Sequence, residues 1–436
     1  MNKYPQDLAE KVYNYVSENE EERVCDAIAE SSCREVPGNF LLNALNGFSS
    51  KLAEQLASPT LIIPWVFALI GVPPFFNGLL VPVKNTGSLL PQLVISGKIR
   101  AYQRRKYFWA GAALVQAVMM LVMAVMVDYK HPNLVGWIFI SALTVFSIAS
   151  GVASISFKDV MGKTIPKGKR GRLLGLRATG GGVLTGLVGL AFYLFLSDAE
   201  NTAIYSWLFI GSAILWVTAA ALFFFIDEAK GATSGGRTPV EELTNGWKLL
   251  KRDVNYRRFL ISRGLLLSIP LVQPFLIVYA NEKIGISVSG MGLFVLLTGI
   301  SNTVSSPFWG RFADRSSKKL MVIAGVLGAM VCGYVVVFQY LPIDWQNIYT
   351  FSPVFVLMIM VYGGARMARK TYLVDYAPKH ERPLYVSMAN TTIGLFVLAS
   401  GGLSLIANYF GVVAMIAVLA GMMVLASLSA IRLKDV

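Results

Sequence analysis

The chain is built from long apolar runs separated by short polar ones. Stretches long enough to cross a hydrocarbon core of about 30 Å recur from Leu56 to the end. Read against turn residues, they predict helical spans at 39–66, 75–97, 107–127, 135–157, 173–196 and 204–226. A second set follows at 259–280, 289–310, 319–340, 351–374, 384–408 and 410–431. Helices are the expected element, because backbone surrounded by lipid must satisfy its own hydrogen bonds. The first and seventh spans interrupt their apolar pattern with polar residues and prolines. Residues 1–37 contain nine acids against four bases and no apolar run, so a short cytosolic extension is expected there rather than a cleavable signal.

Composition supports a membrane solvent. Hydrophobic residues make up 55% of the chain and charged ones 15%, against about 25% charged in soluble domains. A net charge of +14 would suggest nucleic acid in a soluble protein. The bases have a different distribution here. The loops 98–106, 158–172, 227–258, 311–319 and 375–383 hold 24 Lys and Arg, and the six alternate loops hold two, Lys130 and Lys283. The positive-inside rule places the first set, and both termini, in the cytoplasm of an inner-membrane protein with no nucleic-acid partner. Cys25, Cys33 and Cys332 fall in the extension and in a span, where free thiols are expected.

The two sets of spans echo each other. Gly97-Lys-Ile-Arg-Ala-Tyr-Gln-Arg-Arg-Lys106 follows the second span, and Gly310-Arg-Phe-Ala-Asp-Arg-Ser-Ser-Lys-Lys319 follows the eighth. Pro166-Lys-Gly-Lys-Arg170 and Pro378-Lys-His-Glu-Arg382 repeat at almost the same offset. The expected fold is therefore an all-α membrane protein of twelve transmembrane helices in two six-helix pseudo-symmetric halves. These are residues 38–226 and 259–436, joined by a cytoplasmic linker at 227–258. Parallel halves of this kind put a substrate site near the midplane between them.

At the second loop the chain resembles the major facilitator superfamily, over residues 38 to 431. Gly310, Asp314, Arg315, Lys318 and Lys319 are similar to that family's loop motif, Gly-x-x-x-Asp-Arg/Lys-x-x-basic-basic. The resemblance implies that Gly310 allows close helix contact while Asp314 and Arg315 hold the cytoplasmic side shut. A carboxylate does this by meeting the positive N-terminus of a neighbouring helix. In the first half Ala101 stands at the place of the Asp, so that gate is expected to be one-sided or differently built. The family's antiporter signature is also incomplete. The fifth span has Gly180, Gly181, Gly182, Gly186 and Gly189 but lacks the motif's proline, and such glycines also serve simple close packing.

Charged groups deep in a span are costly and usually face a cavity. Glu54 is the one acid away from the ends of a predicted span, and Asn43, Asn46, Ser50 and Glu54 follow a 3-4-4 spacing. Lys51 lies beside that stripe, and Lys84 lies thirteen residues before Gly97, roughly 20 Å from the cytoplasmic end at 1.5 Å per residue. Glu54 is thus a candidate proton carrier tuned by Lys51 or Lys84, or else one member of a permanent ion pair. Asn46 and Gln273 are further candidates for substrate contact, and Pro270 and Pro274 suggest a broken seventh helix. Arg177, Arg263 and Arg366 are placed one or two turns from the cytoplasmic face. Two readings stand for them: a vestibule for anionic substrates, or arginines that snorkel or pair with acids such as Asp159 and Asp375.

The leading expectation is a secondary transporter of a small solute, coupled to protons or another ion, needing no cofactor and acting as a monomer among membrane lipids. No phosphate-binding Gly-x-x-x-x-Gly-Lys-[Ser/Thr] loop is present to use ATP. A multidrug or metabolite efflux pump is the alternative of the same fold, and a transporter-like receptor the alternative of another class. A metal-dependent membrane enzyme is not expected, because the only two histidines, His131 and His380, fall in loops. The 24-to-2 split of bases yields a direct test. A reporter fused after Lys434 should be active in the cytoplasm, and activity restricted to the periplasm would overturn the topology.

Overall fold

The computed structural model describes residues 10–11, 35–100, 102–166, 169–195, 203–230, 239–285, 288–378 and 381–435. No strand occurs among them. In chain order the helices are α1 (Val36–Leu56), α2 (Ile62–Ile70), α3 (Pro74–Arg100), α4 (Lys106–Met126), α5 (Pro132–Thr164), α6 (Arg170–Phe195) and α7 (Ala203–Phe224). Then come α8 (Pro239–Arg252), α9 (Val254–Leu265), α10 (Ser268–Ile284), α11 (Val288–Arg315), α12 (Ser317–Phe338), α13 (Ile348–Tyr376), α14 (Arg382–Ser400), α15 (Ser404–Phe410) and α16 (Val412–Ile431). Among the described residues nine stretches are long and apolar enough to cross a membrane, with α9–α10 and α14–α15 each counted as one. Cys25 and Cys33 lie outside the described residues, and Cys332 is a buried free thiol.

Three of the expected helices are interrupted: the eleventh by a 3-10 turn at Gly401–Leu403 between α14 and α15, and the first and the seventh by outright breaks. The first splits at residues 57–61, where Ser58-Pro59-Thr60 carries the chain between α1 and α2. The seventh splits at Leu266–Leu267 between α9 and α10. The cause is local: the ring of Pro270 clashes with the carbonyl four residues earlier and offers it no N–H. Leu266 O accepts from Ile269 N at 3.3 Å instead. Both broken helices end on a glycine in the left-handed region, Gly71 at φ 77° and Gly285 at φ 61°, at corresponding places in the two sets of spans. Only glycine adopts that backbone without strain. The seventh helix also starts earlier than 259, because Asp253 accepts from Tyr256 N and caps α9. The segment expected as a plain linker thus contains α8 and the first turn of α9.

Helix pairing repeats along the chain. α1 packs on α6 and α7, α3 on α5, and α4 on α5 and α7. In the same pattern α9 packs on α14 and α16, α11 on α13, and α12 on α13 and α16. The two groups meet along α6 with α11 and along α3 with α14, with α2 against α10 beside them. The α6–α11 seam is made by small residues. A Cβ on Gly299 would lie 2.7 Å from Gly186 N and 2.8 Å from Gly182 O, and one on Gly189 would strike the backbone of Leu296. Gly180 and Gly181 instead accommodate Phe48 and Lys51 of α1. Packing therefore accounts for this glycine run.

The seams have a direction. On α6 and α11 the contacting residues are 182–193 and 292–303, and on α3 and α14–α15 they are Gly78, Leu79, Pro82 and Thr86 against Gly394, Gly401 and Ser404. All of these lie in the half of the bundle remote from the basic loops.

The seam gives a stability test. Gly299→Leu should lower the unfolding midpoint in detergent, consistent with an overpacking cost of about 1–3 kcal/mol. Gly421→Leu gains the same helix propensity where nothing lies within 4 Å, and it should not destabilise. Equal effects at the two positions would dismiss the close contact of α6 with α11.

Candidate functional site

At the middle depth of the bundle, between the two helix groups, lies a cavity of about 330 Å³. The break between α1 and α2 supplies Ser58, Pro59 and Thr60 to its wall, α3 supplies Lys84 and Asn85, and α10 supplies Pro270 and Gln273. Thr298 and Asn302 of α11 and Tyr362 and Arg366 of α13 complete its polar lining. Broken helices suit such a position, since unwound backbone is tolerated at membrane depth only where it borders a cavity or is buried in protein.

Three of the sequence candidates meet here. Glu54 Oε2 lies 3.1 Å from Lys51 Nζ, one turn away on α1, and Glu54 Oε1 lies 2.9 Å from Lys84 Nζ on α3. Both carboxylate oxygens are engaged, one within a helix and one across two. All three side chains keep part of their surface open to the cavity. Gln273 lines the same space from the opposite group.

Arg366 belongs here too, which corrects its expected place nearer the cytoplasmic face. It lies ten residues before the end of α13 at Tyr376, about 15 Å at 1.5 Å per residue. Its guanidinium carbon sits 5.9 Å from the centre of the Tyr362 ring. The cavity therefore holds three cations, Lys51, Lys84 and Arg366, around one carboxylate, Glu54.

Asn46 is not part of this cavity. Eight residues of helix turn it about 80° away from Glu54, and it faces α6 and α7 instead. Asn46 Nδ2 donates to Ala219 O at 2.8 Å, and Asn46 Oδ1 accepts from Arg177 Nη1 at 3.1 Å. Arg177 also donates to Asn43 O at 2.5 Å and stacks 4.4 Å from the Phe157 ring centre. It is buried among α1, α5 and α6, so it lines no vestibule and instead ties the first helix to the fifth span. Gly47 leaves the room its stem needs. Ser49 to Leu215 O at 2.7 Å and Ser212 to Ala53 O at 2.8 Å extend the same polar seam. The polar stripe on α1 thus serves mainly its neighbours within the first group.

Arg263 Nη2 donates to Asn390 Oδ1 at 3.1 Å, between α9 and α14. Asp159 does not serve these arginines. It pairs with Arg105 and, at 2.7 Å, with Lys163. In the loop motif Lys318 meets Asp435 at 3.3 Å and Arg315 is exposed, whereas the surroundings of Gly310 and the side chain of Asp314 lie outside the described residues.

The first-half counterpart of the motif is built from other residues. Glu228, just after α7 and buried, accepts from Arg105 N at 2.8 Å and from Lys106 N at 2.8 Å, and pairs with Lys163 at 2.8 Å. A carboxylate thus meets the positive N-terminus of α4 although Ala101 occupies the motif position. Sequence reasoning missed Glu228 because four further spans separate it from Ala101 in the chain. Asn85, Thr298, Asn302 and Tyr362 were missed as well. The four-residue spacings Thr298–Asn302 and Tyr362–Arg366 were the available signal.

Comparison with known proteins agrees with this geometry. Residues 259–435 match the family model of the Major Facilitator Superfamily. An uncharacterised protein of Mycobacterium tuberculosis is 23% identical over 350 residues, 77% of this chain, and the chain spans only 65% of that relative's length. A nucleoside transporter superposes with a TM-score of 0.69 at 13% identity, covering 90% of this chain and 99% of its own. The inward-open xylose transporter of E. coli gives 0.65 at 16% identity, covering 92% and 97%. At these identities the superpositions establish the fold.

The Lys51–Glu54–Lys84 group can be examined by a double-mutant cycle. Glu54→Gln and Lys84→Gln should each lower the unfolding free energy, and the double variant should lose less than their sum. The expected coupling is about 0.5–3 kcal/mol. Strict additivity would mean that the bridge between α1 and α3 contributes nothing.

Proposed function

We propose that the chain, whose residues 259–435 match the family model of the Major Facilitator Superfamily, is a secondary active transporter of that family. It moves a small solute across the inner membrane by alternating access, with twelve spans in two six-helix halves and both termini in the cytoplasm. The observation that carries this reading is the charged cavity at mid-depth, bordered by both helix groups and by the two broken helices. The repeated pairing of helices, and the two glycine-ended breaks at matching positions, support the division into halves. On this reading residues 38–226 and 259–436 form the halves and the segment 227–258 joins them.

The basic loops supply the orientation. With them in the cytoplasm, the seams of α6 with α11 and α3 with α14 lie in the outer half, and on this reading the inner side is the one left open. Rocking about those seams would close the inner side and expose the cavity outward.

We assign proton coupling to Glu54, the one carboxylate that lines the cavity among the described residues. A competing role, a fixed brace between α1 and α3, is favoured by the engagement of both its oxygens. The two roles separate in proteoliposomes. Glu54→Gln keeps the shape and hydrogen-bonding capacity of the side chain but cannot titrate. If Glu54 carries the proton, the variant should still exchange solute between equal pools while losing accumulation driven by a pH gradient. Accumulation equal to that of the parent would move the proton to another group or make another ion the driver.

A further inference from the structure

We propose that the solute is a small organic anion bearing a carboxylate or phosphate group, anchored by Arg366 and drawn in along a cationic path on α13. The proposal rests on the transporter reading above and adds a substrate class to it.

The first observation is the charge of the cavity itself. Lys51 and Lys84 share Glu54, which leaves Arg366 on the facing wall. Among the described residues Arg366 has no carboxylate within 4 Å, and its one close aromatic neighbour is Tyr362. A guanidinium presents a fork of donors suited to the paired oxygens of a carboxylate or phosphate.

The second observation is independent and lies between the cavity and the basic loops. Tyr362, Arg366, Arg369 and Lys370 fall on one face of α13, spaced 4, 3 and 1. Lys370 feels the charges of Arg366, Arg369, Arg263 of α9 and Lys158 of α5. Lys158 comes from the opposite helix group, so like charges from both groups come within range of one another. Among the described residues none of these five side chains forms an ion pair. Asp159, the neighbour of Lys158, is already held by Arg105 and Lys163.

Among the described residues Arg366, Arg369, Lys370 and Lys158 form no ion pair, and cations gathered in this way repel one another and concentrate mobile anions. A neutral solute gains nothing from this field, and a cationic one is excluded by it. Closing the mouth would bring Lys158 towards the α13 stripe, at a repulsive cost that a bound anion offsets. The cavity volume of about 330 Å³ sits at the small end of ligand pockets, which span about 300–1,000 Å³. One metabolite-sized anion suits it better than a lipid or a peptide.

The test uses the full-length protein with Cys25, Cys33 and Cys332 replaced by Ser, Ser and Ala, and Asn302→Cys as a reporter on the cavity wall. Thr298→Cys, one turn away, is a second reporter should the first fold poorly. Membranes with the basic-loop side accessible are treated with a sulfonatoethyl or a trimethylammonioethyl methanethiosulfonate, and each rate is divided by that for free cysteine. The anionic reagent should be favoured on the order of 10-fold at low salt, and less as salt screens the path. Lys370→Gln, at an exposed position, should reduce the preference several-fold, and Arg366→Gln should do the same. A normalised ratio near one, or a preference for the cation, overturns the anion proposal and leaves the transporter reading standing. If neither reagent reaches either cysteine while both label a cysteine placed at exposed Arg315, the cavity is sealed from that side and the transporter reading falls with the proposal.

Discussion

A charged side chain inside an apolar slab must find a partner or face water, and that constraint sorts the ionisable residues of this protein. Arg177 is satisfied by Asn43, Asn46 and Phe157, and it becomes a strut between helices. Glu54 is satisfied by Lys51 and Lys84, and it joins α1 to α3 while keeping contact with the cavity. Glu228 is satisfied by the first N–H groups of α4 and by Lys163. The stripe of Arg366, Arg369 and Lys370 forms no ion pair among the described residues, and its Arg366 lines the cavity between the helix groups. Position relative to water thus separates groups that brace the fold from groups that can meet a solute.

The same physics governs the backbone. Helices cross the bilayer because each segment can satisfy its own hydrogen bonds, and a break is tolerated only beside a cavity or within protein. Both breaks border the cavity, one through Ser58 to Leu61 and the other one turn from Pro270. Prolines create them and glycines end the helices that follow, so the chain encodes the cavity by weakening two helices at related positions. The seams are encoded by the reverse device. Gly189 and Gly299 remove side chains so that α6 and α11 meet backbone to backbone. Interfaces of this kind gain from close van der Waals contact where the hydrophobic effect is absent.

Alternating access asks for contacts that hold one side and release the other. The glycine seams hold the half remote from the basic loops. At the other end the Glu228 network ties α4, α5 and the end of α7 within one group, so it stiffens that group without bridging to the other. Lys158 of α5 and Lys370 of α13 carry like charges and belong to opposite groups, so drawing the two together costs repulsion.

The sequence by itself determined the solvent, the helical class, the internal repeat and the weakness of the first and seventh spans. These are local or periodic properties: apolar run length, base distribution, and turn residues at a fixed offset. It also singled out Glu54, Lys51, Lys84 and Gln273, because charge or polarity inside an apolar run is visible without coordinates. Tertiary structure alone decided what each polar group faces. Asn46 and Arg177 read as cavity or vestibule candidates and proved to be each other's partners, because α1 turns Asn46 away from Glu54 and towards α6 and α7. Arg366 moved the other way, from the mouth to the cavity wall, because α13 turns it towards the space it shares with Lys84 and Gln273. Glu228 acquired its role through contacts with Arg105 and Lys106, which lie far from it along the chain. The direction of a side chain depends on helix rotation and on neighbours distant in sequence, and neither is written in the local pattern.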